Sequence, residues 1–134
     1  MSGLKPDSPR PTEISLHQAS RKLELTFDDD THGALSCEFL RVYSPSAEVR
    51  GHGKGLEVLQ TGKEAVNITE IEPVGNYAVR LIFSDGHDTG LYSWDYLYEL
   101  VQNQGSLWQA YLDKLAAAGI QRNTGSGDER QDNG

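Results

Sequence analysis

At 134 residues and a net charge of −8, the chain has the size of one domain, long enough to bury a core. The two ends, 1–11 and 121–134, together balance acids against bases, so residues 12–120 carry the whole excess with only eight Lys or Arg; counterion release from phosphates cannot drive binding to such a surface, and nucleic acid and anionic membranes are excluded as expected partners. The single cysteine, Cys37, rules out an intrachain disulfide and a cysteine-based structural zinc site, and no run of 18 apolar residues marks a transmembrane helix.

Residues 1–11 hold three of the five prolines and read as a disordered lead. They lack the apolar stretch of a secretory signal, which together with the lone thiol points to a reduced, cytoplasmic setting. Glu13–His17 alternates apolar and polar residues as a half-buried strand does, and Lys22–Phe27 repeats this with Leu23, Leu25 and Phe27 on one face. The run Asp28-Asp29-Asp30, followed by Thr31-His32-Gly33, makes a hairpin-like turn, and Ala34–Ser36 starts the way back. Cys37–Arg41 switches to a short helical pattern that must stop before Ser44-Pro45, because the residue preceding proline avoids the α region. Residues 50–63 contain four glycines and read as a long mobile loop. It is not a phosphate-binding loop: Gly62-Lys63 is followed by Glu64, position 57 is Glu rather than Gly, and Gly51-His52-Gly53-Lys54-Gly55 has the wrong spacing for a dinucleotide site.

Val66–Val74 and Tyr77–Phe83 are the clearest strands, joined by a two-residue turn at Gly75-Asn76. Asp85-Gly86 supplies a second turn with positive φ at both residues, and Thr89–Tyr92 returns as a third strand. Ser93 caps a helix with Asp95 in its first turn, and Trp94, Leu97, Tyr98 and Val101 share one face. Asn103-Gln104-Gly105 breaks that helix, and Ser106 caps the next, in which Trp108, Tyr111, Leu112 and Leu115 repeat the spacing until Gly119 ends it. Both stripes are expected to be core. Residues 121–134 offer nothing to anchor them and read as a disordered tail. The expected class is α+β: a small antiparallel meander packed against two C-terminal helices, with one short helix before the glycine-rich loop.

No complete catalytic constellation emerges. The histidines (His17, His32, His52, His87) include no pair spaced to place two ligands on one element, and no His-x-Asp/Glu exists to start an iron facial triad. Cys37 lies in an apolar pattern beside Phe39 and Leu40, as a buried inert thiol does. Asp28–Asp30, Asp85 and Asp88 sit in turns, where Asp serves the backbone. The chain is therefore not expected to be an enzyme; a small-molecule catalyst would need a pocket near His87, Tyr92 and Asp95.

Two segments carry a family resemblance. Leu40-Arg41-Val42-Tyr43-Ser44-Pro45-Ser46-Ala47-Glu48-Val49, followed by Asp85-Gly86-His87-Asp88-Thr89-Gly90-Leu91-Tyr92-Ser93-Trp94-Asp95-Tyr96-Leu97, resembles the gamma-butyrobetaine hydroxylase-like N-terminal domain. The resemblance runs from about Thr12 to Gln121, so residues 12–120 are expected to be that domain. In the carnitine-pathway dioxygenases that carry it, the first motif reads Leu-Arg-Asp-Asn-Cys-Pro-Cys-x-x-Cys, and its cysteines join a later histidine on zinc. The matching positions here are Ser44, Ser46, Val49 and His87, of which only His87 could ligate. The resemblance thus implies the scaffold without its structural metal and without a cofactor, zinc or iron being held only with other ligands supplied. Ser44-Pro45-Ser46 is expected beside His87 with the side chains hydrogen-bonded, and Val49 covering the patch. The oxygenase chemistry belongs to a larger domain and is not implied.

The expected function is a non-catalytic accessory or protein-interaction domain with an unidentified protein partner, itself a monomer or weak homodimer. Arg50, His52 and Lys54 form a local basic spot that could serve as its contact surface. The alternative is metal or iron–sulfur handling by His87 with a partner's ligands, implied by the family's fusions to cluster-assembly ATPases.

Overall fold

Alternation of apolar and polar residues builds two antiparallel sheets, and a computed structural model describes residues 9–46, 49 and 59–122 of the chain. In the first sheet, β1 (Pro11–His17), β2 (Lys22–Phe27) and β3 (His32–Ser36) follow one another in order. The central strand gives Leu23, Leu25 and Phe27 to the core and turns Lys22, Glu24 and Thr26 away from it, as a two-residue period dictates. The second sheet runs β4 (Ile68–Val74), β5 (Ala78–Phe83) and β6 (Leu91–Ser93), again in sequence order. Helices α1 (Cys37–Val42), α2 (Trp94–Gln102) and α3 (Gln104–Ala117) complete the fold. The expected α+β class holds, with the strands sorted into two sheets of three. One core joins them: Leu23, Leu25, Phe27, Leu35, Phe39, Leu40, Ile68, Leu81, Phe83, Tyr92, Leu97 and Leu100 are all buried together. No helix among the described residues is long and apolar enough to cross a membrane.

Local chemistry fixes the boundaries. Ser36 caps α1 by accepting the Phe39 N–H, and the helix ends at Tyr43, ahead of Ser44-Pro45. Ser93 caps α2 by accepting the Tyr96 N–H at 3.1 Å. Ser93→Ala should therefore lower stability by about 1 kcal/mol in urea unfolding, the usual value of such a cap; a change indistinguishable from zero would show that tertiary packing alone holds the helix start.

Four local expectations need correction. Ser106 does not cap α3: the helix begins at Gln104, Asn103 takes the cap position without a side-chain bond, and the Ser106 hydroxyl donates to the Asn103 carbonyl instead. Gly105 is consequently inside the helix, and Asn103 ends α2 while starting α3, so the two form an elbow with no linker. The turn between β4 and β5 holds three residues, because Val74 pairs with Ala78 and the Tyr77 carbonyl is diverted to the Trp94 N–H. In the turn after β5 only Gly86 has positive φ (92°); Asp85 does not. Finally, Pro11 and Arg122, read from sequence as parts of the two ends, take part in the described structure. Pro11 opens β1, the Arg10 N–H donates to Asp28, and Arg122 pairs with Glu38, an anchor its sequence neighbours gave no sign of.

Tyr43 ties the helices together. Its hydroxyl donates to the Leu107 carbonyl on α3 at 2.6 Å, and its own carbonyl accepts the Tyr96 hydroxyl of α2, also at 2.6 Å. The residue that leaves α1 is thereby pinned to both arms of the elbow.

Candidate functional site

The exit from α1 and the β5–β6 connection meet at a buried polar cluster. Ser44 (1 % exposed), Ser46, Val49 and His87 (6 %) are all buried, so four of the positions singled out from sequence are drawn into the interior. Ser44 Oγ and His87 Nε2 lie 2.8 Å apart, Ser44 Oγ accepts the Ser46 N–H at 3.2 Å, and Ser46 Oγ bonds Thr89 Oγ1 at 2.6 Å. The Val49 N–H donates to the Ser46 carbonyl at 3.0 Å. The remaining three singled-out residues, Arg50, His52 and Lys54, lie outside the described residues.

Sequence reasoning names Tyr92 beside His87 only as the lining of a catalytic pocket, whereas the structure buries it against this cluster. Its hydroxyl, fully buried, donates to the Leu40 carbonyl at 2.5 Å, and its ring shares the space at Gly90 with Ser44. Burial drives its ionisation far above the ordinary tyrosine range. The direction of the Ser44–His87 bond follows the imidazole tautomer: the hydroxyl donates to an unprotonated Nε2 and accepts from a protonated one. Gly90 makes room for this packing: a Cβ there would stand 2.5 Å from Ser44 Oγ, 3.2 Å from Tyr92 and 3.3 Å from Pro45.

The backbone that presents His87 is held by a charge cluster. Asp85 Oδ2 accepts Arg41 Nε at 2.9 Å and Lys63 Nζ at 2.7 Å, while Oδ1 accepts the His87 N–H at 3.1 Å. Burial alone works to raise the Asp85 pKa, but Lys63, the His87 N–H and Arg41 outweigh it and hold the carboxyl at about 2. Arg41 also donates to Gln60 Oε1, and the Gln60 carbonyl accepts the Tyr111 hydroxyl, so the segment after the glycine-rich stretch is fastened to α1 and α3.

This arrangement suits neither a nucleophile nor a metal ion. Ser44 beside an imidazole has the pairing of a hydrolase, yet the hydroxyl is buried away from any substrate and also accepts the Ser46 N–H. A zinc ligand must offer a lone pair. His87 supplies the one nitrogen ligand among the four and its Nε2 is bonded to Ser44, Ser46 is engaged by Thr89, and the Val49 side chain has no donor atom. The four positions therefore do not fit the zinc of the dioxygenase domains. Cys37 is no substitute: it is fully buried, burial raises its thiol pKa, and its contact is Asn67 rather than His87. Among the described residues no group of three or more His, Cys, Asp or Glu side chains is arranged to hold a metal.

Comparison with known proteins places this scaffold. No curated protein matches the chain. Two solution NMR structures resemble it: one is 55 % identical with a TM-score of 0.75 over 91 % of each chain, the other 50 % identical with a TM-score of 0.75 over 89 % of this chain and 94 % of its own. A crystal structure of a protein of unknown function from Acidithiobacillus ferrooxidans, of the DUF971 family, is 41 % identical with a TM-score of 0.58, covering 69 % of this chain and 92 % of its own. The model of the gamma-butyrobetaine hydroxylase-like N-terminal family matches residues 14–98, spanning both Ser44-Pro45-Ser46 and His87, and the chain belongs to that family.

Proposed function

We propose that this domain is a non-catalytic interaction module in which a hydrogen-bonded cluster does the structural work that zinc does in the dioxygenase domains. The observation that carries the reading is the buried Ser44–His87 bond at 2.8 Å, with the Tyr92 hydroxyl behind it. A closed polar network of this kind fixes one conformation, with its polar atoms engaged with one another and no open face toward a substrate. The same burial weighs against metal or iron–sulfur handling through His87, which needs a reachable imidazole.

Two measurements test this. The purified protein should contain substoichiometric zinc and iron and unfold identically with and without chelator; one equivalent of metal whose removal unfolds the chain would overturn the reading. The variant Ser44→Cys/Ser46→Cys/Val49→Cys should acquire one zinc per chain with His87 as the fourth ligand, since the scaffold positions are retained. For the interaction itself, tagged wild-type protein and His87→Ala should capture the same partner from the native host. Loss of that partner with His87→Ala, in protein that remains folded, would favour metal handling.

A further inference from the structure

A second polar site is built around Glu38 of α1. Glu38 is buried (6 % exposed), and its two oxygens accept Nε and Nη2 of Arg122 at 2.8 and 2.5 Å. The same guanidinium stands 5.1 Å from the ring centre of Trp108 on α3. Trp108 in turn stacks on Tyr111, with ring centroids 5.4 Å apart. Burial raises the Tyr111 hydroxyl to about 12, with Glu38 and then Glu64 adding to the effect. A two-pronged carboxylate and an indole face are the elements that recognise a planar cation, and a lysine ammonium cannot satisfy the fork and the ring together.

The occupant is weakly tethered. Gly119 (φ 71°) ends α3, and the Ile120 N–H donates to the Leu115 carbonyl. Past Ile120, neither Gln121 nor Arg122 makes a backbone–backbone hydrogen bond among the described residues. Arg122 is thus held by its side chain, at the end of a short strap that turns at a glycine.

We propose that Glu38, Trp108 and Tyr111 form a guanidinium-binding site, occupied at rest by the chain's own Arg122, that accepts an arginine side chain of a protein partner when the strap lifts. The partner half of this inference rests on the interaction-module reading and gives that partner a chemistry: an exposed, arginine-bearing segment, drawn also by the −8 charge of the chain. Exchange is feasible because the incoming arginine replaces the one it displaces, leaving no buried carboxylate without a counter-charge.

Full-length Arg122→Ala, titrated with N-acetylarginine amide and N-acetyllysine amide while the Trp108 indole N–H is followed by NMR, tests the site. Vacating it should tighten binding of the arginine amide at least about tenfold over wild type, with the lysine amide weaker and with Glu38→Gln in the same background abolishing the gain. Equal affinity in wild type and Arg122→Ala, or a gain that survives Glu38→Gln, overturns the site. Should Arg122→Ala fail to fold, the amides are added during refolding: selective rescue by the arginine form supports the proposal, and equal rescue by both overturns it. Arginine binding by the variant, with no host protein associating with the full chain, removes the interaction reading and the partner assignment while leaving the guanidinium site standing.

Discussion

Replacing Asp85 with alanine is expected to lower stability by about 3 kcal/mol, the lower end of the range for breaking a buried ion pair. The carboxylate itself keeps some solvent contact, but Arg41, its partner, is 7 % exposed and would be left with its charge uncompensated. The same change frees Lys63 and the His87 N–H, so it unfastens both the segment after the glycine-rich stretch and the residue at the centre of the polar cluster. Asp85→Asn keeps the shape and removes the charge, and should fall between the two. Urea unfolding of the three proteins measures this; an Asp85→Ala loss below about 1 kcal/mol would place the pair among ordinary surface bridges. The pH dependence has a definite sign. The folded carboxyl titrates at about 2, below its unfolded value of about 3.9, so its contribution is present above about pH 4 and is lost as pH falls through about 2. Asp85→Asn should lack that component of the acid transition.

Gly90→Ala is the second large effect, and its partner in a double-mutant cycle is named by the geometry. The new methyl would lie 2.5 Å from Ser44 Oγ, while its next contacts, at 3.2 and 3.3 Å, are tight but bearable. Overpacking of this kind costs about 1–3 kcal/mol in a closed interior. Ser44 is fixed by bonds to His87 and the Ser46 N–H, so it cannot rotate aside without breaking them. Ser44→Ala deletes the clashing oxygen. The double variant should therefore be less destabilised than the sum of the single ones, with a coupling of at least about 0.5 kcal/mol. Strict additivity would mean that the loop carrying Gly90 moves instead of the serine.

Much of this fold could be read from residue patterns because the patterns are local. The two-residue period of Lys22–Phe27, the Ser93 cap and the stop before Ser44-Pro45 each act within a few residues and appear in the structure where expected. The juxtaposition of Ser44 with His87 came from the family's motif spacing, which carries long-range information that periodicity lacks. What stayed hidden depends on distant partners. Tyr77 leaves the hairpin ladder because its carbonyl is needed by Trp94, seventeen residues on. The residues alone group Tyr92 with His87 only as pocket lining, and what the Tyr92 hydroxyl does depends on a carbonyl in α1. Arg122 sits in a polar stretch that reads as tail, and only the placement of Glu38 and Trp108 gives it a counterpart. Arg21, with φ of 56° between two strands, carries no residue-level signal of that conformation at all.

The two bonds of Tyr43 make the domain its own strain gauge. Its hydroxyl reaches α3 and its carbonyl reaches α2, while the very next residue is Ser44. A shift in the helical elbow must therefore be felt one peptide away from the His87 cluster, and the reverse holds equally. Trp108 sits within ring contact of Phe39, which packs on Tyr43, so its fluorescence should register events at a histidine it never touches.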